Sequence, residues 1–196
     1  MSVVKVKKLS KRKQQIFYEA EWLFRSKGFA ATTMRDLAKA VGVEAASLYS
    51  HVKSKEEILI YICFSMAEKF FNAFEEIEQL DIRPDDKMEK AIEQHVSVIT
   101  DNLNASAVFF HEWKHLTEPY LSDFKLLQRK YEEKFSEILD SGVDQWIFKP
   151  QESKFYCIVI FSSMNMIHEW YDPEGSFSSA QIAQQISRVL LDGIKQ

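Results

Sequence analysis

One stretch of the sequence is a literal match to a catalytic pattern: His111-Glu112-Trp113-Lys114-His115 reads HExxH. Zinc hydrolases use this spacing because residues i and i+4 share a helix face, so two imidazoles reach one ion while the glutamate serves as base. A catalytic zinc also needs a third protein ligand and an open coordination position. Here Leu116, Thr117 and Glu118 follow with no HxxGxxH extension, and Glu132 and Glu133 are the only candidate carboxylates on the next helix. A zinc hydrolase or a metal-responsive regulator built on His111, Glu112 and His115 is therefore the alternative reading. The simpler one is a helix face whose histidines pack or point at a pocket. No catalytic residue, metal or cofactor is expected.

The second constellation serves recognition, not catalysis. Two short helices joined by a Gly-containing turn, after a supporting helix, make a helix-turn-helix pattern. Its second helix must be short, with small or polar residues facing out and apolar anchors facing in. Between Glu44 and Val52, Ala45, Ala46 and Ser47 are small, Tyr49 and His51 can project outward, and Leu48 and Val52 can anchor. The charge distribution agrees. Residues 1–55 hold 12 Lys/Arg against 4 Asp/Glu (+8), and residues 56–196 hold 13 against 25 (−12), for a net −4. A basic end on an acidic body suits a polyanionic partner, although five of those cations lie at or before Arg12, where a solvated tail is the bland explanation.

The elements that must position these residues are helical. Five glycines and four prolines in 196 residues leave long unbroken stretches, and apolar residues recur at helical spacing. Helices are expected at Lys11–Lys27, closed by Gly28; from Thr32 or Thr33, with Thr33 and Asp36 as a loose capping box, to Gly42; and from Glu44 to His51. A fourth runs from the Ser54–Glu57 capping box to about Leu80. Further helices are expected at about 86–102, 105–117, 120–140 (closed by Gly142) and 149–170, with a last one capped by Ser178 and Gln181. The reading is all-α, about nine helices: a three-helix helix-turn-helix DNA-binding domain over 1–55 and a larger helical domain over 56–196. Cys63 and Cys157 read as buried thiols of a reducing compartment. The longest fully apolar run, Phe155–Phe161, is too short to span a bilayer, and no apolar segment follows the basic N-terminus as in a signal peptide. A cytoplasmic protein without membrane contact is expected.

Gly28-Phe-Ala-Ala-Thr-Thr-Met-Arg-Asp-Leu-Ala-Lys-Ala-Val-Gly-Val43, with Ser47-Leu-Tyr49 and Lys53-Ser-Lys-Glu-Glu-Ile58, resembles the TetR family signature over about residues 11–60. The resemblance implies a homodimeric transcriptional repressor, with 56–196 as its ligand-binding and dimerisation domain, whose recognition helices enter successive major grooves of a palindromic operator. It implies phosphate contacts by Thr33, Tyr49 and Lys55 and base or phosphate contacts by Ser47, with Arg35, Glu44 and His51 in the same DNA-binding set. Lys55 also sits on a helix N-terminus, which attracts anions. Glu44, His51 and Val52 depart from the family pattern: a carboxylate at 44 either repels phosphate or accepts from cytosine N4.

In the body, Phe155–Trp170 is apolar almost all round, the pattern of a helix buried on every side. The resemblance implies that Phe155, Val159 and Met166, with Ile182, Ile186, Val189 and Leu190 on the last helix, pair with a second copy; burial within one chain is the alternative. Phe70, Phe74, His95, Phe109, Trp113, Phe161 and Asn165 are candidates for an effector pocket. The segment Glu169-Trp-Tyr-Asp-Pro-Glu-Gly175 is similar to a branch that regulates fatty-acid and steroid breakdown, which implies a small effector that is acyl-CoA or fatty-acid-like.

Overall fold

A computed structural model describes residues 9–150 and 152–195. Lys5, Lys7 and Lys8 of the basic N-terminus lie outside the described residues. The described chain is all-α, with helices α1 (Lys11–Lys27), α2 (Met34–Val41), α3 (Ala45–Tyr49), α4 (Lys55–Glu78), α5 (Pro84–Thr100), α6 (Leu103–His111), α7 (Tyr120–Asp144), α8 (Ser153–Asn165), α9 (Ile167–Trp170) and α10 (Ser179–Asp192). Among the described residues no strand forms beyond an isolated antiparallel bridge between Phe148 and Lys195.

These helices form two compact units that do not follow one cut in the sequence. The first contains the chain up to Glu68 together with Leu103–Leu126, and the second contains Lys69–Asn102 together with the chain from Leu127 onward. In the first unit α1 packs on α2 and α6, and α2 on α3. Ile16, Phe17, Ala20, Leu23 and Phe24 supply the buried face of α1. In the second, α5 packs along α10 and also meets α8 and α9, burying Met88, Ala91, Ile92, Val96 and Ile99.

Several local expectations are corrected. Gly142 does not stop a helix: α7 continues to Asp144, and the turn comes at Trp146, with φ 58°. The glycine instead admits the Phe148 ring, since a Cβ at 142 would lie 2.1 Å from Phe148 Cδ2. The helix expected from Lys149 begins at Ser153. Lys149 precedes a proline, which disfavours helix there, and its N–H instead donates to the Ile194 carbonyl (2.8 Å). That helix also breaks at Met166 (φ −89°, ψ 0°), which lets both Ile167 and His168 turn inward in the α5-facing α9. Nor is α8 buried on every side. Cys157, Ile160 and Met164 face in, whereas Phe155, Ile158 and Met166 are exposed.

Candidate nucleic-acid interface

Thr33 caps α2 through a full reciprocal box. Its hydroxyl oxygen accepts from the Asp36 N–H (3.1 Å), while the Asp36 carboxylate accepts from the Thr33 N–H (2.9 Å) and hydroxyl (2.7 Å). The Thr33 hydroxyl bond above all, aided by Lys27 at 3.7 Å, holds the Asp36 carboxyl below its ordinary range. Gly42 then makes the turn in a left-handed conformation (φ 71°, ψ 41°), which glycine adopts without steric cost. Its N–H reaches the Ala38 and Lys39 carbonyls, and the Val43 N–H reaches Ala38 (2.9 Å).

The turn delivers α3, a single short helix. Leu48 and Val52 are buried beneath it. Ala46, Ser47, Tyr49 and Ser50 are exposed, His51 is half-buried, and Arg35 is exposed on α2. Glu44 stands at the N-cap of α3, exposed, with no side-chain capping bond. An inward pair of anchors therefore presents an outward set of small and polar side chains, the arrangement that a groove-entering helix needs.

Lys55 takes a part that its position alone did not suggest. Its ammonium donates to the main-chain carbonyls of Phe29 (2.7 Å), Ala30 (3.2 Å) and Thr32 (3.0 Å) and lies 4.4 Å from the centre of the Phe29 ring. Three N–H groups thus meet three acceptors, fastening the start of α4 to the α1–α2 loop. The α4 capping box is only half as expected. Ser54 accepts from the Glu57 N–H (3.2 Å), but the Glu57 carboxylate reaches past it to the Lys53 N–H (2.8 Å) and to the Lys13 ammonium (3.0 Å). Glu57 was absent from the sequence-derived site, although its place three residues after Ser54 was a usable signal.

The HExxH segment joins this mount. The α-helical frame that would align His111 with His115 ends at His111, and Trp113–His115 forms a 3₁₀ turn. The tighter turn lets Leu116 bury and places Trp113 on Phe124 (stacked, 5.8 Å). His115 stacks on Phe29 (5.3 Å, 29°), with its Nε2 3.3 Å from the Glu112 carboxylate. Beside it the Glu56 carboxylate accepts from the Thr117 N–H (3.1 Å) and hydroxyl (2.5 Å). Both contacts lie within the first compact unit.

The seven effector-pocket candidates separate into two groups. Phe109 and Trp113 pack on Phe124 in the first unit. Phe70, Phe74, His95, Phe161 and Asn165 belong to the second, around Tyr131 and Phe135. His95 stacks on Phe70 (4.6 Å), with its Nδ1 3.2 Å from the Tyr131 hydroxyl and its Nε2 3.0 Å from Asn165 Oδ1. Burial holds the imidazole neutral, taking its pKa down to about 4, and burial raises that of Tyr131. Tyr131 escaped the sequence reading, although Phe124, Tyr131 and Phe135 follow helical spacing. Of the dimerisation candidates, Ile182 is buried within its own chain; Phe155, Met166 and Val189 are exposed, and Val159, Ile186 and Leu190 are half-buried.

Comparison with known proteins bears on both units. Residues 16–62 match the model of bacterial regulatory proteins of the tetR family, and residues 81–194 match the tetracyclin repressor-like C-terminal domain. The chain belongs to the TetR family. TetR proteins are transcriptional regulators with helix-turn-helix heads, and this chain is a regulator of that type, not an enzyme. Among TetR relatives, the HTH-type transcriptional repressor KstR2 of Mycolicibacterium smegmatis is 26% identical over 187 residues, covering 94% of this chain and 91% of the relative. KstR2 of Rhodococcus jostii is 27% identical over 190 residues, covering 94% and 92%. The structure of the ketosteroid transcriptional regulator KstR2 of Mycobacterium tuberculosis superposes with a TM-score of 0.90 at 22% identity, over 98% of this chain and 99% of the other. AibR in complex with isovaleryl coenzyme A and operator DNA gives 0.82 at 20% identity, over 92% and 98%. At these identities the two structures speak for the TetR fold alone.

Proposed function

We propose that this regulator is a cytoplasmic repressor that binds a palindromic operator as a homodimer and is released by a small apolar or acyl-type effector held in its body. The observation that carries the reading is the build of α3: Leu48 and Val52 are buried while Ser47 and Tyr49 face outward. Ser47, Tyr49 and His51 meet the groove and its walls, with Glu44 as a candidate acceptor for cytosine N4, and Thr33 and Arg35 meet phosphate. Lys55 supports the docking by holding the α4 N-terminus, the kind of helix end that attracts a phosphate. Exposed Phe155, Met166 and Val189 supply an apolar face for the second copy. Effector binding shifts the population toward dimers whose recognition helices no longer match half-sites about 34 Å apart. Selection of bound duplexes from random DNA is the direct test. A two-fold symmetric site is expected, with Tyr49→Phe and Ser47→Ala weakening its retardation on gels; recovery of no duplex overturns the reading.

A further inference from the structure

A groove of about 670 Å³ runs between α7 and α8, walled on its apolar side by Cys157, Ile158 and Phe161 and reaching Asn165. That volume lies within the range of about 300–1,000 Å³ typical of small-molecule sites. Asn165 is held from behind. Among the described residues the Tyr131 hydroxyl has one hydrogen-bond partner, His95 Nδ1. Its proton must go there, since a hydroxyl proton shut away from water without an acceptor is costly. Nδ1 is then the acceptor of a neutral imidazole, and Nε2 carries the hydrogen. Asn165 Oδ1 accepts that hydrogen at 3.0 Å. The relay fixes which way the amide faces and leaves Nδ2, a donor of two hydrogens with no protein partner among the described residues.

The remaining wall argues about charge. Arg129 and Lys154 are offset by Glu132 and Glu133 on the same groove, so no net field selects an ion. The Ser136 and Ser162 hydroxyls also line the groove, but a hydroxyl rotates to donate or accept as its partner requires; the Asn165 amide is a donor whose direction is set in advance, beside apolar side chains.

We propose that the α7–α8 groove is the effector site and that its ligand is an apolar molecule whose carbonyl oxygen accepts from Asn165 Nδ2. This rests on the reading of the chain as an effector-released regulator. A ketone and an acyl thioester share the required chemistry. The relay makes Asn165 the specificity-determining residue: an apolar chain without an acceptor leaves Nδ2 desolvated and unpaired, a loss that corresponds to roughly 10- to 100-fold in affinity.

The test is calorimetric titration of the full chain with 2-decanone, decanoyl-CoA and a decane control, on the wild type, Asn165→Leu and Ile158→Trp. Ile158 is 57% exposed, so the tryptophan fills the groove without entering the core and serves should Asn165→Leu fail to fold. The ketone should bind the wild type at least tenfold more tightly than decane does, and both variants should lose at least tenfold. Binding of decanoyl-CoA alone would assign the carbonyl to an acyl carrier and still support the site. Equal binding of decane and ketone, unchanged binding by both variants, or no binding of any probe overturns it. Duplex selection run on the same preparation separates the two failures: a protein that selects an operator but ignores all three probes loses this inference and keeps its proposed function.

Discussion

Lys55→Met separates two roles that the sequence leaves superimposed, a phosphate contact and a structural clamp. Methionine keeps an unbranched stem against the Phe29 ring and removes the ammonium, so the carbonyls of Phe29, Ala30 and Thr32 lose their shared donor. Hydrogen bonds from a charged donor contribute about 1.5–3 kcal/mol net. Lys55 is half-buried, and water recovers part of that. A loss of about 1–3 kcal/mol follows, and at about 2–4 °C per kcal/mol for a chain of this size the melting temperature should fall by about 2–12 °C. Operator binding should weaken by a similar factor at every ionic strength. Each lysine that neutralises a phosphate instead contributes about 0.9 to the slope of log K against log salt, so two of them in a dimer contribute about 2. Thermal melts followed by circular dichroism, with retardation titrations between 50 and 200 mM salt (roughly the range over which such slopes are read), decide between the roles. An unchanged melt with a slope reduced by about 2 would refute the clamp.

Gly142→Ala places a methyl 2.1 Å from a ring carbon of Phe148, which is fully buried. Expelling that ring costs about 3–5 kcal/mol, against about 1 kcal/mol gained in helix propensity, so chemical denaturation should show a net loss of about 2–4 kcal/mol; a stabilised variant contradicts the packing described. His95 is neutral when folded, with its pKa lowered from 6.5 to about 4. The unfolded chain therefore binds the extra proton between those values, and stability complete above pH 6.5 should fall by about 3 kcal/mol as pH drops toward 4. Melts of His95→Gln should be flatter over that interval, and an equally steep fall would assign the effect elsewhere. Phe155→Asp with Val189→Asp puts charge on the exposed apolar face and should turn a dimer into a monomer by light scattering; a dimer that survives both changes does not use this face.

What the sequence disclosed was chiefly local. The bounds of α1 were readable from its apolar stripe and Gly28, although that glycine closes the helix at φ 84°, ψ 152°, outside the left-handed helical region in which helix-ending glycines commonly lie. The Thr33–Asp36 and Ser178–Gln181 boxes were readable from residues three apart, and Leu48 and Val52 from their spacing. Contacts made across the chain were not. Nothing near Lys55 announces acceptors 23 to 26 residues away, and nothing near His115 announces Phe29. A glycine three residues past an apolar stripe resembles a helix stop unless the ring that needs its bare Cα is known to return, as Phe148 does. The uniform apolarity of α8 implied complete burial, but only one of its faces meets the rest of its own chain.

The seat of the DNA-reading head is made partly from chain that lies far downstream. Phe29 is covered by His115, and Glu56 is answered by Thr117. A fragment cut after the fourth helix would bare an aromatic ring and strand a carboxylate, so the head is not a portable module despite its contiguous signature. Chimeras that transplant this reader onto another sensor should keep the Glu112–Thr117 turn with it, because the boundary that matters is drawn through space and crosses the polypeptide more than once.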